Sequence, residues 1–453
     1  VSDSSESAEY ARAAELAYQE LLSRMGEGEP QPRLEPTRRV VELLGDVHRA
    51  YPVIHLAGTN GKTSTARMIE SILRTLGLRT GLFTSPHLIS LNERIHVDGE
   101  PISDETLVAN WVDIKPYVEM VDAELLAKGE LRLTFFEVLT ILGFAVFADA
   151  PVDVAVVEAG MGGEWDATNV ADGVVSVFTP VALDHTERLG RDIETIARTK
   201  SGIIKPAAMV VSAPQEPEAE TVLREAADLT ESSINVLGTG GTSVVSEVAV
   251  GGQLVSIIGL AGTYDDLFVA LLGDHQAVNA AVAVMSVESF LGGATHSLDK
   301  DLLAQALATV TSPGRLQRVA SNPPVIVDAA HNPHGAQSLA EGLTSYFDFD
   351  DITLVFGSLA DKNYLEFLST LAPFVRRIVL TTPPSDRAVE AADIAAALAL
   401  PPDILVIVQP DPVIALVEAR AYAAQSAKGA VVVSGSISLV GLTLVCASEE
   451  KWS

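Results

Sequence analysis

Val53-Ile54-His55-Leu56-Ala57-Gly58-Thr59-Asn60-Gly61-Lys62-Thr63 is the stretch that decides the fold. Its first five residues form a short, mostly apolar run, as expected of a buried strand. Beyond Thr63, Met68, Ile69, Ile72, Leu73 and Leu76 recur at helical spacing, and Gly77 is a natural stop. A glycine-rich turn therefore joins a strand to a helix. Glycines let the backbone bend sharply and approach a ligand, and successive N–H groups at a helix start attract phosphate. Lys62 would reach the β- and γ-phosphates of a nucleotide, and the Thr63 hydroxyl would ligate Mg²⁺. The match to G-x-x-x-x-G-K-[ST] is incomplete, because Leu56 stands where the first glycine belongs. The competing reading is a glycine-rich turn with a chance lysine.

Working outward, strand signals recur at 81–84, 152–157, 174–178 and 209–212, with helical stretches between most of them. That alternation predicts a mostly parallel, doubly wound sheet of P-loop type. Residues 1–50 read as helical, with apolar positions at Leu16, Leu21, Leu22, Val40, Val41, Leu43 and Leu44 and a loop from Gly26 to Pro36. From Gly238 to Gly262, short Val-rich runs between Gly-Gly and Thr-Gly signals suggest a small antiparallel excursion. Helix returns over Gln276–Phe290. After Pro313 a second alternating series places strands at 325–327, 352–356, 377–381, 404–408 and 430–433. The fold class expected is α/β, with a nucleotide-binding domain over residues 1–309 and a second, smaller open α/β domain over 310–453.

The chain has 453 residues, and 30 Lys and Arg against 60 Asp and Glu give a net charge of −30. Such a balance disfavours nucleic acid as a main partner, since binding phosphate backbones needs a basic surface. The apolar run Val138–Ala148 is too short for a bilayer, which takes roughly 20 residues. The longer uncharged stretch 429–448 is broken by Ser434-Gly435-Ser436 and Gly441, so no membrane span is expected. A single cysteine, Cys446, excludes an internal disulfide framework. The acidic start, Val1 to Tyr10, has no basic, apolar signal-peptide pattern, and the cytoplasm is the expected compartment.

Three clusters follow the phosphate loop: Thr84-Ser85-Pro86-His87-Leu88, Glu158-Ala159-Gly160-Met161-Gly162-Gly163, and Leu183-Asp184-His185. Each lies at a strand's carboxyl end or just after it, where open α/β sheets place their ligands. Ser85, Glu158 and His185 are candidate Mg²⁺ ligands, although imidazole is an unusual partner for so hard an ion. Taken singly, each has a bland alternative: a turn serine, a capping glutamate, a hydrogen-bonded histidine.

These strings together resemble the folylpolyglutamate synthase and bifunctional dihydrofolate synthase family of the Mur ligase superfamily. The resemblance is carried by Ala57 to Thr63, Thr84 to Leu88, Asn92-Glu93-Arg94-Ile95, Gly162-Gly163 with Asp166 to Asn169, Leu183 to Thr186, and Lys200 to Ile203. In the second half it continues through His275-Gln276 with Asn279 to Ala281, Pro313 to Leu316, and Asp328 to Pro333. It implies an ATP-dependent ligase that phosphorylates a folate or pteroate carboxylate and joins L-glutamate to it. By resemblance, Thr59, Asn60, Gly61 and Lys62 bind the ATP phosphates, and Asn279, Arg315, Asp328, Ala329, Ala330 and His331 complete the nucleotide contacts. Thr63 and Ser85 would hold one Mg²⁺ and Glu158 and His185 a second, with K⁺ left open as a further cation. Lys62, Glu158, His185 and Lys200 would form the catalytic set, Lys200 resembling the family's carboxylated lysine. The pterin end would meet Thr134, Phe135, Phe136 and Glu137, and Trp165, Asp166 and Ala167. Partners would be these small molecules alone, and the family suggests a monomer.

Some positions depart from the pattern. Glu164-Trp165 follows Gly163 where many relatives carry Arg, and Pro180 stands where Asn is common. Asp361-Lys362-Asn363 approximates an Asp-Lys-Asp motif, against a polar helix start, and Ser434-Gly435-Ser436 reads equally as a structural turn. Two other functions compete. A cell-wall Mur ligase usually carries a separate N-terminal domain, and about 50 residues before the first strand leave little room for one. A P-loop ATPase that hydrolyses ATP without ligation would not need the Asp328–Pro333 motif.

Overall fold

The computed structural model describes residues 2–26 and 31–452. Part of the expected Gly26–Pro36 loop, 27–30, lies outside the described residues, as do the two terminal ones. The chain divides into two compact units, Val1–Val244 with Ser256–Leu267 and Val278–Thr309, and Val245–Val255 with Phe268–Ala277 and Val310–Ser453.

The first unit is built on eight strands: β1 Val53–Ala57, β2 Thr80–Phe83, β3 Ile95–Val97, β4 Glu100–Pro101, β5 Val154–Glu158, β6 Gly173–Phe178, β7 Met209–Ser212 and β8 Ser233–Val236. Their order is β4-β3-β2-β5-β1-β6-β7-β8. From β2 to β8 neighbours run parallel, while β3 and β4 add antiparallel at one edge. The β3–β4 pair escaped the sequence reading because three- and two-residue strands are too short to show a period. β1, β2 and β5 are buried at every residue, as expected of central strands in a parallel sheet.

The helix Phe135–Asp149 holds the run that the sequence reading judged too short for a membrane. Twelve of its residues are buried, and it packs as an interior helix between the sheet and its neighbours. No helix among the described residues is long and apolar enough to cross a membrane. The first helix, Ser2–Leu22, buries Ala14, Ala17 and Leu21 rather than Leu16 and Leu22, which are exposed. The 3-4 spacing of Ala14, Ala17 and Leu21 sets that contact face. The helix Lys62–Thr75 ends as expected, with Gly77 at φ +93° and its N–H on Arg74 O at 2.9 Å.

The excursion is three strands, β9 Ser243–Ala249, β10 Gly252–Ile258 and β11 Thr263–Val269, in the order β11-β10-β9. Two residues separate β9 from β10, a connection that antiparallel strands alone can make. The segments 245–255 and 268–277, which the sequence reading kept in the first domain, belong to the second unit. There Gln253 Nε2 donates to Leu271 O and Gly273 O, both at 3.0 Å, and Tyr346 OH donates to Asp274 Oδ1 at 3.2 Å.

The second unit's sheet comprises β12 Gln317–Ser321, β13 Pro324–Val327, β14 Asp351–Phe356, β15 Arg377–Leu380, β16 Leu405–Val408 and β17 Gly429–Ser434, in the order β12-β13-β17-β14-β15-β16. All pairs are parallel except β12 with β13. Its core gathers Leu316, Ile326, Leu354, Phe356, Phe367, Ile378, Leu380 and Val432. The edge strand β12 has one buried residue, Ala320, and so carried no apolar pattern to read.

Candidate active site

β1 leaves the sheet at Gly58, between β5 and β6. A Cβ on Gly58 would lie 1.9 Å from Thr179 Oγ1, so only glycine passes there. Gly61, at φ +91°, begins the helix Lys62–Thr75, and a Cβ on it would come within 2.8 Å of Asn279 Oδ1. Asn279 therefore lies directly against the loop. Lys62 folds back over it, its Nζ donating to Gly58 O at 3.2 Å and Thr59 O at 3.4 Å. The Thr59 hydroxyl donates to Ala182 O and accepts from Ala182 N, both at 3.0 Å, and Thr59 N donates to Pro180 O at 2.9 Å. These bonds hold the segment after β6, which carries Asp184 and His185, beside the loop.

Glu158 ends β5 with 2% of its surface exposed. The Thr63 hydroxyl lies 3.1 and 2.9 Å from its two carboxylate oxygens, Ser85 N lies 3.4 Å from Oε2, and Lys62 Nζ lies 4.0 Å from Oε1. Strand order β2-β5-β1-β6 brings these groups together, because the four carboxyl ends are neighbours. His185 sits at φ +49° just before the short helix Thr186–Leu189, its N–H on Asp184 Oδ1 at 2.8 Å.

Lys200, from the helix Ile193–Ser201, is buried and donates from Nζ to Gly58 O at 2.8 Å. Burial, with the charge of Lys62 adding to it, brings its pKa down to about 7 against a smaller upward pull from Asp184 and Asp166. A substantial fraction of this amine is thus neutral near physiological pH.

The expected pterin set falls into two groups. The Thr134 hydroxyl accepts from Glu137 N at 3.2 Å, and the Glu137 carboxylate accepts from Thr134 N at 2.7 Å. That reciprocal pair is the capping box of the helix Phe135–Asp149. Arg33 Nε holds Glu137 Oε1 at 3.0 Å, and Phe135 is buried beneath the Arg94 guanidinium. Phe136 is half-buried; its ring touches Phe83 and covers Gly160 so closely that a Cβ there would be 2.5 Å away. Trp165 is half-buried against Val181, Leu189 and Ile196. Asp166 is a buried cap that takes Met161 N at 2.8 Å, Thr168 N at 3.0 Å and the Thr168 hydroxyl. Burial raises its pKa, and those hydrogen bonds oppose the rise. Ala167, next in the chain, is buried at the start of the turn 167–170.

In the second unit, Asp328 closes the end of β13. Its oxygens accept from Leu316 N at 2.7 Å and Ala330 N at 2.8 Å, while Ala329 N donates to Gly314 O at 2.8 Å. The carboxylate thus fixes the turn that carries Arg315. His331 Nδ1 donates to Ala329 O at 2.9 Å, and Ser434 Oγ donates to Ala330 O at 3.1 Å. Burial lowers the pKa of His275, Arg315 and His334 push it the same way, and Asp328 opposes them. Asp361 pairs with Arg387 at 2.6 Å, and Asn363 caps the helix Tyr364–Leu371.

Comparison with known proteins agrees with this architecture. Residues 56–287 match the Mur ligase middle domain and 314–437 the Mur ligase, glutamate ligase domain. A dihydrofolate synthase/folylpolyglutamate synthase of Mycobacterium tuberculosis is 45% identical over 390 residues, covering 83% of this chain and 80% of that protein. This chain belongs to the folylpolyglutamate synthase/dihydrofolate synthase family of Mur ligases. The solved M. tuberculosis folylpolyglutamate synthase complexed with ADP superposes with a TM-score of 0.92 at 39% identity, covering 97% of this chain and 99% of that one. Escherichia coli FolC in complex with DHPP and ADP gives 0.83 at 28% identity, covering 96% and 98%.

Against the family pattern, Pro180 still serves the loop, because its carbonyl receives Thr59 N. Glu164 is held by its backbone, N on Thr199 O at 2.8 Å and O receiving Asn169 Nδ2 at 3.0 Å. Thr179 and Ala182, which position the phosphate loop, and His55, which reaches Thr168, were not singled out from sequence.

Proposed function

We propose that this protein joins L-glutamate to the carboxylate of a folate, and of dihydropteroate, at the expense of ATP. The observation that carries the reading is the cluster Lys62, Thr63, Ser85 and Glu158 around a glycine-shaped turn. A nearly buried carboxylate faced by the Thr63 hydroxyl and the Ser85 N–H, with the Lys62 ammonium at 4.0 Å, suits a cation site beside a phosphate chain. Thr63, Ser85, Glu158 and His185 would hold Mg²⁺, which when bound offsets the repulsion between ATP and an incoming carboxylate.

Backbone N–H groups from Thr59 to Lys62 receive the phosphates, and the Lys62 ammonium balances the charge that builds on the transferred phosphoryl group. A carboxylate oxygen of the acid substrate attacks the γ-phosphorus and ADP departs, leaving an acyl phosphate. The glutamate amine attacks the acyl carbon, inorganic phosphate leaves with the former carboxylate oxygen, and the amine loses its proton. Phe136 and Trp165 offer aromatic faces to the pterin, with Asp166 and Ala167 shaping the loop beside them. Lys200, an amine of lowered pKa, can react with CO₂ to become a carbamate that supports the cation site. Asn279, which lies against the phosphate loop, is a further nucleotide contact.

The test is an oxygen-transfer experiment. With ¹⁸O in the substrate carboxylate, each turnover should place one ¹⁸O in the released phosphate, and phosphate release should need both glutamate and the acid. Unlabelled phosphate, or release without glutamate, would overturn the acyl-phosphate route.

A further inference from the structure

His55 is completely buried in the middle of β1, three residues before Gly58, and the phosphate site makes no use of it. Its Nε2 lies 2.9 Å from Thr168 Oγ1. The Thr168 hydroxyl donates its hydrogen to Asp166 Oδ1, so the hydrogen between His55 and Thr168 comes from the imidazole. That assignment leaves the ring as the Nε2–H tautomer. Its Nδ1 has no hydrogen-bond partner among the described residues. Burial, with Lys205 nearby, brings the ring's pKa down to about 3, so it is neutral throughout the working range.

The chain continues beyond Thr168. Asp166 also takes Thr168 N at 3.0 Å and, on its other oxygen, Met161 N at 2.8 Å. Met161 and Asp166 bracket the loop that follows Glu158. An apolar side chain would fill a fully buried strand position without desolvating a polar ring. The imidazole is therefore explained by the one hydrogen bond it donates, which ties the phosphate-bearing strand to the neighbouring loop.

We propose that His55 is a positioning residue: through Thr168 it orients Asp166 and so sets the loop Met161–Ala167 against which the pterin end of the acid substrate rests. This rests on the pterin assignment made above. His55→Leu should raise KM for tetrahydrofolate about fivefold, the effect of one neutral hydrogen bond. Turnover number and KM for ATP should stay within about twofold. His55→Gln, which can present an amide N–H at similar reach, should restore KM. Thr168→Val breaks the same link from the other side and carries the test if His55→Leu does not fold. The double variant should be no worse than the poorer single one, because both remove the same contact.

A role in packing alone would lower the unfolding temperature of His55→Leu and Thr168→Val while leaving KM for tetrahydrofolate unmoved, and that result overturns the inference. Phe136→Ala separates the two levels of the argument. If it raises KM for tetrahydrofolate while the His55 and Thr168 variants do not, the pterin assignment stands and the positioning role falls. If Phe136→Ala also leaves KM unchanged, the pterin assignment itself has failed.

Discussion

Glu137 and Glu158, both in the first unit, are almost closed off from solvent, yet their surroundings differ. Glu137, at the start of the helix Phe135–Asp149, receives two N–H donors from Arg33 and one from Thr134 N. Its charge is matched by a guanidinium in contact at 3.0 Å. Glu158, at the end of β5, receives the Thr63 hydroxyl and a long contact from Ser85 N, with the Lys62 ammonium 4.0 Å from Oε1. The first carboxylate is completed by the protein, as a structural group should be. The second stands at the carboxyl end of a central strand beside the phosphate loop, where open α/β sheets place their ligands.

The comparison breaks if the two residues behave alike on mutation. Lys62→Ala should have the largest effect, lowering turnover at least about a thousandfold by removing the ammonium beside the transferred phosphoryl group. Unfolding free energy should move by less than about 1 kcal/mol, because the lysine's bonds are to carbonyls of its own loop. A variant with near-normal turnover would remove the phosphate loop from the chemistry. Glu158→Gln should follow, with turnover down about a hundredfold and the Mg²⁺ titration shifted to higher concentration. A titration curve superimposable on wild type would mean that Glu158 is not a metal ligand.

Glu137→Ala should invert this pattern. It opens the capping box and leaves Arg33 partly buried without its counter-charge, costing about 2 kcal/mol of stability by denaturant unfolding. KM for folate should change less than about twofold. A large rise in KM with unchanged stability would return Glu137 to the substrate site and erase the contrast.

The sequence made the strand–loop–helix at Val53–Thr75 legible because each level agreed: an apolar run, a glycine turn, a helical period. The clustering of Thr63, Ser85 and Glu158 was also legible, since strand ends in a parallel sheet adjoin. What could not be read was how each polar side chain is satisfied. Thr134 and Glu137 stand three apart before an apolar run, which is a capping signature as much as a ligand motif, and the reciprocal bonds appear only in the folded chain. His55 was hidden for a related reason: within an apolar strand one ring looks like a tolerated exception until its partner, Thr168, more than a hundred residues on, is seen. Segments 245–255 and 268–277 group with the second unit through side-chain bonds such as those of Gln253 and Tyr346, which leave no periodic signal in sequence.

The contrast extends to buried bases, where the effect is smallest but the sign is distinctive. Lys200, beside the phosphate loop, has its pKa brought to about 7, so its charge changes at working pH. His96, on β3 away from that loop, is brought to about 4, mainly by burial and then by Arg67. Unfolded, His96 takes up its proton near its ordinary value of 6.5. Between pH 6.5 and 4 the unfolded chain therefore binds more protons than the folded one, and stability rises with pH across that window. Above it the His96 contribution is flat. His96→Gln should reduce the slope of unfolding free energy between pH 4 and 6.5 while leaving the slope between pH 7 and 8 as in wild type. An equal slope in the acid window would show that the ring is hydrated in the folded protein.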